Sequence, residues 1–252
     1  MRAFIAAAGE WDFHPEELGQ TEIRARFPGL GPDAIGASFA EKDGSGNPRP
    51  IAPAFAAAAE ALGARILEQH DVRMIVRTDA GFTVLTSAGA ISAERLVNTA
   101  GAWGARIAAQ FGEPVPIEAR GPQMGVTEPL PHRILPVVGM WAAGELDGYL
   151  RQVERGNIVF GGGVKRPPVD LDPGHARADP ARLPDQLRRL MRLLPSLADV
   201  SVVRTWSGCE GYVSDGLPVM GRSSTTPGLY HAFGFSGHGF QGGQASATSW
   251  PS

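Results

Sequence analysis

The stretch "LVNTAGAWGARI", residues 96–107, decides how this chain is to be read. An apolar strand turns through Ala100-Gly101-Ala102 straight into a helix. Residues this small let main chain approach a ligand, and the first turn of a helix offers unpaired amides and partial positive charge. Plain strand-to-helix packing would use the same letters, so the turn alone does not settle its purpose. A second stretch of the same construction follows at residues 228–241, "GLYHAFGFSGHGFQ". Here a strand runs into a glycine turn, a helix is expected to start near Gly237, and His238 stands between two glycines. Taken singly, such a histidine is more often a helix cap than a catalytic group.

Working outward, 252 residues with 43% hydrophobic composition can bury a true core, as one large domain or two intertwined ones. The 23 basic and 26 acidic residues leave a net charge of -3 with no Lys/Arg tract, which argues against nucleic acid or an anionic membrane as partner. A small molecule is the remaining default. The single cysteine, Cys209, excludes an internal disulfide and a Cys-rich metal site, and no metal is expected. The N-terminal residues carry acidic groups close behind a short apolar run, with no cleavage signal and no apolar span near ~20 residues. A cytoplasmic, soluble protein is expected. With 33 glycines and 21 prolines the chain must turn often.

Along the chain the two periodicities alternate. "HPEELGQTEIRARFPGL" (14–30) reads as one short helix, and "PRPIAPAFAAAAEALGA" (48–64) as a stronger one that Gly63 caps. "RMIVRT", "FTVLTS" and "AISAERLVNTAG" are strands, "GARIAAQFG" a helix. From residue 114 to 164 the period falls toward 2, as in a mixed, largely antiparallel sheet. "PARLPDQLRRLMRLLPSLADV" (180–200) returns to helical spacing, with a Leu/Met stripe opposite its arginines. "VSVVRTWSG", "GLPVMG" and "GLYHAFGF" close the chain as strands. The fold class is therefore α/β, a mixed α+β chain. "GLGPDA" (29–34) has the letters of a dinucleotide turn, but no buried strand precedes it and Pro32 does not open a helix, so it is read as a plain turn.

"NTAGAW" (98–103), "RTWSGCEGYVSDGLPVMG" (204–221) and "GLYHAFGFSGHGFQ" (228–241), in that order, resemble the FAD-dependent amine and amino-acid oxidoreductases of the D-amino-acid oxidase superfamily. Members of that group include sarcosine oxidase, glycine oxidase and the flavin subunits of hydrogen cyanide synthase and opine oxidase. The resemblance runs from about residue 10 to 241. It implies a partial FAD-binding, Rossmann-like domain (51–114 and 204–241) interleaved with a substrate domain (1–50 and 115–203), and an atypical tail at 242–252.

The resemblance also implies roles. Ala100, Gly101 and Trp103 would lie against the ADP half of FAD, with the backbone of Val72 at the adenine. Gly208, Gly237, His238, Gly239, Phe240 and Gln241 would serve the flavin end, and His238 is also a catalytic candidate. Tyr149 and Arg151 in "GYLRQ" would anchor the substrate carboxylate. The reaction implied is hydride removal from the carbon next to an amine, with FAD as acceptor. Two departures stand out. Glycine oxidases carry an Arg where this chain has Glu210, and sarcosine oxidases a Lys where it has Gln241, which disfavours glycine or sarcosine as substrate. Cys209 stands one position from the cysteine some relatives use to link flavin, so FAD is expected to be noncovalent.

The family opens with a strand, a G-x-G-x-x-G loop and a helix, which these residues do not contain. A copy truncated at both ends is the expectation, with a partner chain as one source of the absent unit. Two rival readings stand beside the enzyme: a noncatalytic fragment unable to hold FAD alone, and a binding or scaffold module without redox chemistry.

Overall fold

A computed structural model describes residues 1–131, 137–142, 145–162 and 167–248. The chain opens with α1 (Arg2–Gly9), β1 (Glu16–Gly19), α2 (Gln20–Arg26), β2 (Gly36–Phe39) and α3 (Pro48–Ala61). Next come β3 (Val72–Thr78), β4 (Gly81–Thr86), β5 (Gly89–Ala93), β6 (Leu96–Asn98) and α4 (Gly104–Gln110). The middle holds β7 (Ile117–Arg120), β8 (Gln123–Pro129), β9 (Val138–Ala142), β10 (Glu145–Gln152) and β11 (Asn157–Gly161). It closes with α5 (Leu183–Leu193), β12 (Val202–Ser207), β13 (Glu210–Val213), β14 (Val219–Arg222), β15 (Leu229–Phe233) and α6 (Gly239–Thr248). Two compact units share these elements: Met1–Gly46, Pro122–Arg166 and Arg177–Ser207 form the first, and Asn47–Gly121, Pro167–Ala176 and Gly208–Ser252 the second.

The first unit is built on an antiparallel sheet of order β12-β8-β11-β10-β9. Alternation sends Ile158 and Phe160 to one face of β11, where Leu150 of β10 stands opposite Phe160. Against them lie Leu190 and Leu193 of α5 and Leu194 just after it, and all are buried together with Leu197. Each such side chain contributes roughly 1.5–3 kcal/mol by leaving water. The α5 arginines Arg188 and Arg189 pair with Asp185 on its outer side. Gln186 is the polar exception in this helix: fully buried, it donates to the carbonyls of Gln123 and Gly162 and so ties α5 to β8 and to the end of β11. Gly125 leaves room for the Phe160 ring, which a β-carbon there would strike.

Two details in this unit differ from, or explain, the sequence reading. Residues 14–30 do not form one helix, because Glu16–Gly19 pairs as β1 with β2. The helix starts only after Gly19, whose amide donates to the Glu22 carboxylate at 2.7 Å, a capping-box contact. "GLGPDA" is a turn, and its second glycine is a packing residue. The Gly31 amide donates to the Leu193 carbonyl at 2.8 Å, so close that a β-carbon would overlap the Arg192 carbonyl.

In the second unit β6 lies parallel to β15, and β14 pairs antiparallel on the other side. A meander, β3-β4-β5, and the pair β13-β7 complete its strands. Helix α3 ends at Gly63 (φ +95°) and α4 at Gly112 (φ +78°). Both ends are Schellman caps: the amides of Gly63 and Ala64 donate to Glu60 and Ala59, and those of Gly112 and Glu113 to Ala109 and Ala108. Beyond the α4 cap, Glu113 accepts from the amide (2.6 Å) and hydroxyl (2.7 Å) of Ser224 and so holds the β14–β15 loop. Burial alone would raise the Glu113 carboxyl, but hydrogen bonds from Ser224, Ser223 and His231 outweigh it and lower its pKa from 4.5 to about 2. Gly104 opens α4 directly over Phe233, and a β-carbon would overlap that ring.

Gly104→Ala is therefore expected to cost about 1–3 kcal/mol by overpacking, read as a lower urea midpoint, while Gly44→Ala, with open space around it, leaves the midpoint nearly unmoved. A carboxyl depressed in the folded state stabilises above its unfolded pKa and loses that contribution as pH falls through the folded one. The stability gap between wild type and Glu113→Gln should therefore shrink between pH 4.5 and about 2, measured as urea midpoints across that range.

Candidate functional site

Parallel pairing of β6 with β15, Asn98 opposite His231, makes both strands leave the sheet at the same edge. From that edge β6 continues through Ala100 and Gly101 into α4, and β15 through Gly234–Gly237 into α6. The two small-residue turns thus sit at the carboxyl ends of neighbouring parallel strands, where open α/β sheets bind ligands. Gly101 adopts φ +55°, and beyond its missing β-carbon there is open space. Gly237 adopts φ +91° and is exposed.

Strand β13 joins the turns. A β-carbon on Gly211 would stand 3.1 Å from the Ala102 Cα, and the Gly211 carbonyl accepts from the Ser236 amide at 3.0 Å. Ser236 itself is left-handed at φ +52°, a conformation costing a non-glycine residue roughly 1 kcal/mol or more. Its hydroxyl takes the Val213 amide at 3.1 Å, which holds it there.

The turn after β15 ends in a helix start of the kind expected. The His238 carbonyl accepts the first α6 bond, from Gly242, so His238 is the N-cap and the amides of Gly239, Phe240 and Gln241 form the outward-facing first turn. Gln241 donates Nε2–H to His238 Nδ1 at 2.9 Å, which leaves the ring proton on Nε2. Beside Gly237 stands a pair from β13: Tyr212 donates its hydroxyl to the Glu210 carboxylate, and a β-carbon on Gly237 would lie 3.2 Å from that hydroxyl and 3.6 Å from that carboxylate.

The other residues singled out by sequence lie as follows. Trp103 is half-buried, and its indole N–H donates to the Leu171 carbonyl at 3.1 Å, tying segment 167–176 to the turn. Val72 opens β3, half-exposed, just after a left-handed Gln69 that the Ser87 hydroxyl binds through its carbonyl. Gly208 is exposed and open-sided. Cys209 next to it is half-buried, and burial raises its thiol pKa. Tyr149 and Arg151 share one face of β10 in the first unit, opposite the face that carries buried Leu150. Tyr149 donates to Met124 Sδ at 2.9 Å. Among the described residues no group of His, Cys, Asp and Glu could hold a metal ion, and no helix is long and apolar enough to cross a membrane.

Sequence reasoning passed over Asn98, His231 and Glu113. Asn98 donates to the Gly104 carbonyl (2.9 Å) and to His231 Nδ1 (3.2 Å), and its Oδ1 accepts from the Ala100 amide (3.3 Å). His231 Nε2 meets Glu113 at 3.0 Å. The available signal was a polar residue within each of two short apolar strands, but 133 positions separate Asn98 from His231.

A family model described as "FAD dependent oxidoreductase" matches residues 1–248. An opine oxidase subunit of Rhizobium meliloti is 28% identical over 217 residues, covering 86% of this chain and 55% of that protein. Glycine oxidase of Geobacillus kaustophilus is 28% identical over 219 residues, again 86% of this chain and 55% of that protein. The chain thus spans about half the length of these curated relatives. Among solved structures, L-proline dehydrogenase from P. horikoshii superposes with a TM-score of 0.85 at 28% identity, over 94% of this chain and 63% of that one. Glycine oxidase from Geobacillus kaustophilus has the same fold, with a TM-score of 0.83 at 23% identity, over 94% of this chain and 62% of that one. Two small-residue turns at one sheet edge, joined through Gly211, therefore belong to a known frame: this chain is a member of the DAO family of FAD-dependent oxidoreductases.

Proposed function

We propose that this chain works in an FAD-dependent enzyme that removes a hydride from the carbon next to the amine of an amino acid or secondary amine. The observation that carries the reading is the shared edge of β6 and β15, which brings the Gly101 and Gly237 turns out side by side. The residues present fit the cofactor. Gly101 leaves unfilled space where a side chain would otherwise project, and the first turn of α6 offers outward amides to an anionic ring edge. When bound, the flavin supplies the acceptor for the hydride.

The chain's own groups divide the remaining work. Ala100 and Gly101 present main chain to the nucleotide portion, with Val72 backbone at its base, while Trp103 braces the turn through Leu171. Gly237, Gly239, Phe240 and Gln241 hold the ring end, with Gly208 at the head of β13 leaving clearance there. His238, its ring proton on Nε2, is the hydrogen-bond donor of that turn. Glu210, engaged by Tyr212, sets negative charge beside Gly237, so a substrate's ammonium suits that side better than its carboxylate. Tyr149 and Arg151 are the proposed carboxylate anchors. No strand leading through a G-x-G-x-x-G loop into a helix occurs among the described residues, so the group holding the pyrophosphate is assigned to a partner chain or to further sequence of the same protein. A lone unpaired thiol, Cys209, accords with cytoplasmic residence.

Titration of FAD into the purified chain, followed by loss of free-flavin fluorescence, tests the reading. Saturable binding is expected, and Gly101→Leu, which fills the open space, should weaken it at least about tenfold, a loss of ~1.4 kcal/mol. Wild type that binds no FAD, alone or with a separately expressed strand-loop-helix unit from a relative, would leave the noncatalytic reading in its place.

A further inference from the structure

We propose that Glu113 and His231 are positioning residues for the Ala100–Gly101 turn and act on it through Asn98. The functional side of this inference rests on reading that turn as cofactor-facing. The contacts run in one direction because each donor dictates the polarity of the next group. The Ser224 amide and hydroxyl donate to Glu113 Oε1, at 2.6 and 2.7 Å. Glu113 Oε2 accepts from His231 Nε2 at 3.0 Å, so the ring proton sits on Nε2 and Nδ1 keeps a lone pair. That lone pair accepts from Asn98 Nδ2 at 3.2 Å. The remaining Nδ2 proton goes to the Gly104 carbonyl at 2.9 Å, and Asn98 Oδ1 is left facing the Ala100 amide at 3.3 Å.

Asn98 and His231 are 3% and 5% exposed, so neither reaches a ligand itself. What they decide is which way the Asn98 amide points. An asparagine amide has the same shape when flipped, but here a flip would set NH2 against the Ala100 amide and oxygen against the Gly104 carbonyl. Both main-chain groups bracket Gly101. The buried ring of His231 also meets the Phe233 ring edge-on, with 5.5 Å between centroids. Glu113, held as a carboxylate by the β14–β15 loop, thus supplies the acceptor that starts the ordering.

The test compares Glu113→Gln, His231→Leu and His231→Gln by hydrogen exchange of the 98–104 segment and by FAD titration, with exchange of the β3–β5 meander as the check on folding. Glu113→Gln keeps shape and the Ser224 contacts but turns a donor toward His231 Nε2–H. Exchange across 98–104 should rise about tenfold while the meander stays protected, and FAD affinity should fall by about tenfold. His231→Leu should behave likewise. His231→Gln, whose oxygen can accept from Asn98 while its NH2 donates to Glu113, should restore both readouts, which a mere loss of packing would not allow. Wild-type exchange in Glu113→Gln, or His231→Gln as impaired as His231→Leu, overturns the proposal. If wild type binds no FAD, the cofactor reading fails on that arm, and the exchange arm still decides whether Glu113 and His231 order the turn.

Discussion

Parallel pairing between β6 and β15 is the constraint on which the second unit depends. The strands are three and five residues long, too short to be stable as an isolated pair. They are held by what covers them: Leu229 and Phe233 are buried, Gly104 allows α4 to close over Phe233, and Asn98 and His231 satisfy each other in the interior. Parallel direction has a functional result that an antiparallel pair would not. It sends both strand exits to one edge, so the chain can present two glycine turns there without bending either strand.

The two units solve the problem of a stable interior differently. In the first, apolar matching dominates, with Leu150, Ile158 and Phe160 against the α5 leucines, and Gln186 is the single buried polar side chain from that helix. In the second, the strand ends nearest the turns are tied by hydrogen bonds between side chains and main chain. Such contacts are individually modest, near ~1 kcal/mol, but directional, and they specify where a turn lies as well as whether it forms. That suits the Ala100–Gly101 and Gly237 turns in the cofactor-facing role proposed for them.

How much of this was legible beforehand follows from the range of the interactions concerned. The helices α3, α4 and α5, the cap at Gly63 and both strand-turn-helix stretches are governed by neighbours within about four residues, and all were readable. The break at Gly19 was not, because the pairing of β1 with β2 competes with a local helical pattern in Glu16–Arg26. The role of Gly31 depends on a carbonyl of α5, and the indole of Trp103 on Leu171, 68 positions away. The ordering of Asn98 by His231 needed the β6–β15 register, which no local pattern contains.

Gly211 has a last consequence. Its bare α-carbon lies against the backbone of Ala102 while its carbonyl carries the Ser236 amide, so this one residue sets the spacing of two loops that are far apart in the chain. A shift of either loop alters its own contact with Gly211. Over evolutionary time the pair is then expected to drift as one body, and position 211 is where bulk of any kind would be felt on both sides at once.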